Sequence, residues 1–410
     1  MGPHGGRPRA AALPLAAALA LTGGALAGCA SPVPFYRPGE GSPDDPVVGL
    51  GGPAPYLRAR PDGTAAGDAA PEAEPPGGEV PLAPAGGPVY AATGPGMIAP
   101  NARGMPARLY VANGRTVDVV DPGTLRVTGR FHPGAAAARI VPSWDLRRLW
   151  VTDPAHGTLV PVGPRGGRRG RPVRVTAPTG LYFTPDGQDA LVLARRPSRI
   201  GVRDPRTMAA RASMPMPCPA GHADFSLDGA SLVATCTAAG VLARVDLANR
   251  RVTGTIRLPE GARPGDLRLS PDGSAFYVAD ARKGGVWFVD ARRFALLGFV
   301  ATAPGARGLA ISRDAHRLFV VGDGTVTALG FRSRRVASRW PLPGRGSPVP
   351  GGVSSDGTAL WLADPAGAVY AVSTRTGRVL HKVDVGGRPV DLCVHPQPGR
   401  YSLGGTGLYR

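Results

Sequence analysis

Leu267-Arg268-Leu269-Ser270-Pro271-Asp272-Gly273, Ala275-Phe276-Tyr277-Val278-Ala279-Asp280 and Val286-Trp287-Phe288-Val289-Asp290 follow one another as three short apolar runs. The first runs into a Pro-Asp-Gly turn, the second ends in Ala-Asp, and the third ends in Val-Asp. Leu296 to Ala301 supplies a fourth run before a Gly/Pro loop. Runs of this length, rich in β-branched and aromatic residues and bounded by turn formers, predict four antiparallel strands. Pro presets one turn dihedral, Asp bonds back to nearby amides, and Gly tolerates positive φ.

The unit recurs. Its turn aspartate returns at Asp145, Asp186, Asp228, Asp272, Asp314 and Asp356, with Gln397 in the same frame, at intervals of 41, 42, 44, 42, 42 and 41 residues. The second run returns as Leu109-Tyr110-Val111-Ala112-Asn113, Leu149-Trp150-Val151-Thr152-Asp153, Leu318-Phe319-Val320-Val321 and Leu360-Trp361-Leu362-Ala363-Asp364. The third returns as Val117-Asp118-Val119-Val120-Asp121 and Leu242-Ala243-Arg244-Val245-Asp246. Repetition on this scale predicts stacked supersecondary units. One four-stranded sheet cannot bury both its faces, whereas blades packed in a closed ring bury them and protect their edges. The second-run aromatics share one register and are read as filling between blades.

Tyr110-Val111-Ala112-Asn113, the following Val119-Val120-Asp121 and the Ser-Pro-Asp-Gly turn are similar to the YVTN-type β-propeller repeat of surface-layer and periplasmic proteins. The resemblance spans about residues 97–410 and implies an all-β propeller used as a rigid platform. Fold resemblance alone does not assign function. Val390 to His395 is read as an inner strand that completes the first blade, with Tyr401-Ser402-Leu403 as a further strand. That gives seven blades; an eighth completed by Val89-Tyr90-Ala91 stays open.

Ahead of the repeats the composition changes. Arg7 and Arg9 precede an apolar run from Ala10 to Leu21 and then small residues, the pattern of a secretory signal. Leu26-Ala27-Gly28-Cys29 resembles the lipobox of bacterial lipoproteins, which implies a signal peptide over 1–28 and a lipid-bearing Cys29. Two acyl chains anchor a protein where one does not. Residues 29–87 are rich in Pro, Gly, Ala and acid, too poor in apolar clusters to offset ordering entropy, and are read as a disordered tether. Residues 88–410 are the propeller. The expected address is extracytoplasmic, on the membrane.

The chain of 410 residues carries 48 Lys+Arg against 29 Asp+Glu, a formal charge of +19. Lysine occurs only at Lys283 and Lys382, a bias that a GC-rich genome explains without selected contacts. The propeller segment is the basic part and is drawn to anionic surfaces. Arg139, Arg263, Arg307, Arg345 and Arg388 all fall in loops entering an inner strand, near the channel mouth, where guanidinium forks suit carboxylate or phosphate. Arg263, Arg307 and Arg388 are the candidate partner-binding residues. The basic run from Arg165 to Arg171 lacks interleaved aromatics, so nucleic acid is not an expected partner.

Cys218 and Cys236 bracket a hairpin turning at Leu227-Asp228-Gly229, which brings both to one face, and an oxidising envelope favours their disulfide. Cys393 reads as a small core residue. The histidines show no metal-ligand spacing. Asp153, Asp280 and Asp364, with Asn113, end second strands and are read as turn residues that satisfy local amides. No nucleophile elbow, zinc motif, P-loop or dinucleotide fingerprint occurs, so neither a catalytic residue nor a cofactor is expected. The sequence supports a lipid-anchored binding or scaffold module for an envelope protein or anionic polymer. The resemblance keeps a propeller enzyme, lactonase-like or tied to an oxidoreductase, as the alternative.

Overall fold

The computed structural model describes residues 89–410 apart from Ala135, Arg165, Gly166 and Arg345. The expected signal peptide, Cys29 and tether lie outside the described residues. Seven antiparallel sheets make up the ring, each built on four strands, successive in the chain in every blade but the first. Their inner strands are Pro389–His395 for blade 1, Arg139–Pro142 for blade 2, Pro178–Phe183 for blade 3 and His222–Phe225 for blade 4. Pro264–Leu269, Gly308–Ile311 and Val349–Val353 do the same for blades 5, 6 and 7.

Blade 1 is made from both ends of the propeller segment. Pro389–His395 pairs antiparallel with Arg108–Asn113, placing Tyr110 opposite Cys393. The ring is therefore closed by strand exchange with seven blades. Val89 and Tyr90 form no eighth blade: they sit in a turn beneath blade 5, where the Val89 amide bonds to the Pro271 carbonyl and the Tyr90 hydroxyl to that of Leu269. Ser402–Gly404 does not continue blade 1 either. With Leu408–Tyr409 it forms a hairpin that joins the inner edge of blade 3, so it stands in the channel along the axis of the ring.

Between blades the packing is aromatic. Tyr110, Trp150, Tyr277 and Phe319 are at most 1% exposed and Trp361 is 4% exposed. Each lies in the second strand of its blade, and each large ring withdrawn from water contributes roughly 2–3 kcal/mol. Tyr277 is held edge-on by Phe288 and Phe331 at 4.9 and 5.1 Å while its hydroxyl donates to the Phe331 carbonyl. A register shift recurs between third and fourth strands in blades 1, 3, 4, 5, 6 and 7, and such a bulge adds twist to the outer edge.

The turns repeat atom for atom. In blade 5 Ser270 Oγ donates to Asp272 Oδ1 at 2.5 Å, which also accepts the Ser274 amide, while Ser270 Oγ accepts the Ala275 amide. Blade 3 uses Thr184 and Asp186 in the same roles, and blade 4 uses Ser226 and Asp228. Gly273, at φ +71°, takes the left-handed position, and a side chain there would strike Leu227 of blade 4. All these turns lie on one face, here called the turn face; the loops that enter inner strands lie on the other, the entry face.

Burial works against the Asp272 charge, but the Ser270 hydroxyl and the Ser274 groups outweigh it and hold the pKa below the usual carboxylate range. A depressed acid stabilises the fold above its unfolded pKa, and the contribution is lost as pH falls through the folded value. Asp272→Ala is expected to cost about 1–2 kcal/mol in urea denaturation at neutral pH. A cost near zero would mean that the turn hydrogen bonds do not hold the hairpin.

Candidate functional site

One channel-facing position carries the polar chemistry. Six residues before each turn position stand Asp391, Arg139, Gly180, His222, Asp266, Gly308 and Pro350, blade by blade. Four of the seven are ionisable, and the ring brings them together. Arg139 Nη2 lies 3.2 Å from His222 Nε2. Arginine only donates, so Nε2 is the acceptor and the imidazole proton sits on Nδ1. Nδ1 faces Asp266 Oδ1 at 3.6 Å, and the same oxygen takes Arg268 Nη1 at 2.5 Å.

The hairpin tip ties this cluster across the axis. Thr406 Oγ1 accepts from Arg139 Nη1 at 3.0 Å and donates to Asp391 Oδ1 at 3.2 Å. Arg268 Nη2 donates to the Thr406 carbonyl at 2.6 Å and to that of Leu309 at 3.1 Å. The hairpin fits against blade 3 because Gly404, at φ +80°, has no side chain; a Cβ there would lie 2.5 Å from the Leu181 carbonyl oxygen. Deeper in the channel Arg410 Nη2 meets the fully buried Asp224 at 2.7 Å, and its guanidinium lies over the Tyr90 ring at 5.2 Å. Trp144 stacks on Tyr401 at 5.4 Å. The channel is filled from the turn face by the protein's own chain.

The inner-strand acids also clamp neighbouring blades. Asp391 Oδ2 accepts the Ile140 amide of blade 2, Asp224 Oδ2 the Leu269 amide of blade 5, and Asp266 Oδ2 the Leu309 amide of blade 6. Burial pushes the Asp391 carboxyl up to about 6, against the pull of Arg139, the Ile140 amide and Thr406. Burial opposes the Asp266 charge too, yet Arg268, His222 and the Leu309 amide prevail and hold its pKa low. Burial and then Arg139 lower the His222 pKa, so the imidazole is neutral near pH 7. Read alone, the sequence shows no cluster of acids and histidine at the channel mouth; the fold makes one.

The arginines of the entry loops are placed unequally. Arg263 and Arg388 are exposed, their backbone amides bonded to Asp280 and Asn113 and their side chains without a partner among the described residues. Arg307 is half-buried and bound to Asp323 at 2.9 Å. Arg345 lies outside the described residues. Exposed Arg115, Arg195 and Arg282 stand on second-to-third-strand loops of the same face.

The strand-end acids serve local amides. Asp280 Oδ1 accepts from Arg263, Arg282 and Lys283, and its Oδ2 takes the Trp287 indole at 2.8 Å. Asp153 does the same for Ala155 and His156. Cys218 and Cys236 are joined as a disulfide with Cα atoms 5.9 Å apart, at the entry face of blade 4. Cys393 is a buried free thiol packed among blade 1 and 2 residues, and burial pushes its pKa up. Among the described residues no group of three or more His, Cys, Asp or Glu is placed to hold a metal ion.

No family model matches the chain, and no curated protein does. Many solved structures are similar, two of them as follows. A functionally unknown protein from Desulfotomaculum acetoxidans DSM 771 superimposes with a TM-score of 0.59 at 16% identity, over 70% of this chain and 98% of that one. Kuenenia stuttgartiensis hydrazine synthase gives a TM-score of 0.56 at 16% identity, over 62% of this chain and 88% of that one. The likeness is one of fold.

Asp391 gives the cluster a pH signature. An acid whose folded pKa lies above the unfolded value of roughly 3.9 loses stabilising effect as pH rises between the two. The stability of the wild type relative to Asp391→Asn is therefore expected to fall by about 2 kcal/mol between about pH 4 and pH 6, followed by urea melts. A difference that stays flat or grows over that interval would refute the assignment.

Proposed function

We propose that the protein is a lipid-anchored, extracytoplasmic propeller acting as a binding or scaffold module of the YVTN-like kind. Its entry face captures an anionic polymer, peptide or protein of the cell envelope, and Cys29 carries the anchor. The observation that carries this reading is the pair of exposed, uncommitted guanidiniums at Arg263 and Arg388, among other exposed arginines on the same face. Because the channel is filled by the hairpin, the loops of this face are the surface left to a large partner. Arg307 contributes less directly, since part of its charge is already answered by Asp323.

Exposed charge pairs contribute roughly 0.2–1 kcal/mol each, so the effect is read on several at once. With fluorescent poly-L-glutamate as the probe, Arg263→Ala/Arg282→Ala/Arg388→Ala is expected to weaken binding about tenfold and flatten its salt dependence. Arg292→Ala, on the turn face, serves as the control. Binding that survives the triple change unaltered counts against the entry face.

One observation favours the enzyme alternative, a hydrolase at the channel mouth: the neutral imidazole of His222 set between Arg139 and Asp266. General acid–base work needs such a group within reach of substrate. A lactone-hydrolysis screen of the purified protein decides it. Turnover that disappears in His222→Ala would establish the enzyme, and no turnover leaves the binding module.

A further inference from the structure

The turn face is crossed by the segment from Val89 to Ala107. The Gly96 amide bonds to the Ser355 carbonyl at 2.7 Å, Arg313 Nη2 to the Met97 carbonyl at 3.1 Å, and Asn101 to the Asp145 carbonyl. The strap so pinned spans from blade 7 to blade 2 and passes over the seam where blade 7 meets blade 1. Between strap and seam lies a cavity of about 1030 Å³. Ligand pockets of about 300–1,000 Å³ are typical, so the space suits a whole small molecule.

Its walls are amphipathic. Trp361 and Ala371 of blade 7, Leu109 and Val394 of blade 1, and Met97 and Met105 of the strap supply apolar surface. Thioethers adapt their shape to an irregular hydrocarbon. At the lip Met97 is 49% and Leu380 47% exposed, large apolar side chains facing water at the cavity mouth. His395, in the same wall, is 2% exposed, and its Nδ1 has no hydrogen-bond partner, while Nε2 sits 3.4 Å from the Met105 sulfur. Burial lowers its pKa to about 4, so it brings no charge at neutral pH.

The charges around the cavity are not balanced. Arg108 is bound to Asp121 at 2.8 Å, and Asp356 is turned into its own loop, accepting from Ser354 and Thr358. Arg103 and Arg400 also line the cavity, both exposed and with side chains that meet no partner among the described residues. His381, also exposed, lines the cavity as well. The uncommitted charge is thus cationic, next to an apolar interior. A ligand complementary to both has a hydrocarbon body and an anionic end.

We propose that this cavity binds a single-chain amphiphilic carboxylate, its hydrocarbon against Trp361, Leu109 and Met105 and its carboxylate at Arg103 and Arg400. The site is on the face opposite the entry-loop arginines, so it stands or falls independently of the scaffold reading.

The test uses the full chain and dansyl-undecanoate as a fluorescent probe. Saturable one-to-one binding is expected, with displacement by dodecanoate about tenfold more effective than by dodecylamine or dodecanol. Arg103→Ala/Arg400→Ala is expected to weaken the probe about tenfold without lowering the melting temperature. Ala107→Trp, at an exposed position lining the cavity, should block it while leaving the core untouched. No saturable binding, equal displacement by the amine or the alcohol, or full affinity in either variant would each overturn the proposal.

Discussion

Pairing between Pro389–His395 and Arg108–Asn113 is the contact on which the rest of the molecule depends. Each blade is a sheet with two oily faces, and only its neighbours cover them. The exchanged strand brings Asp391 with it, and that carboxylate accepts the Ile140 amide of blade 2, so closure is locked by a buried hydrogen bond as well as by a ladder. Asp224 and Asp266 repeat the device between blades 4, 5 and 6. A buried acid that took no amide would cost stability, so these positions tie the inner strands in register.

The ring has one closed and one open side. On the turn face the strap and the hairpin cover the axis, with Tyr90, Arg410 and Asp224 making a buried knot. On the entry face the axis ends in polar groups, with the His222 side chain 21% exposed. Paired charge and unpaired charge are divided accordingly. Arg139 and Arg268 are held by the hairpin tip, whereas the side chains of Arg263 and Arg388 are exposed and meet no partner among the described residues.

Local chemistry explains what the sequence makes legible. The Ser-x-Asp turn and the aromatic of the second strand act within one repeat, so their period reveals the bladed architecture, register and core, while the choice between seven and eight blades stays open. Closure is legible because Val390 to His395 reads as an inner strand lacking its successors. The channel cluster is not, because Arg139, His222, Asp266 and Thr406 each stand alone in their own stretch and meet only in three dimensions. Aligning the repeats on the turn and reading six residues back exposes it: Asp, Arg, His and Asp against Gly, Gly and Pro. The hairpin hides for another reason. Gly404-Gly405-Thr406-Gly407 carries no apolar pattern, since its task is to pass close to Tyr182 and the Leu181 carbonyl.

Strand exchange also sets a timetable for biogenesis. The edge strand Arg108–Asn113 acquires its mate only when residue 389 has been made. At a synthesis rate of about 5–20 residues per second that is a delay of roughly 14–55 s. Throughout it, an aromatic, β-prone ribbon offers unpaired amides and carbonyls to any other nascent copy. Crowding many copies together while they are half-made therefore threatens yield more than it threatens the finished ring.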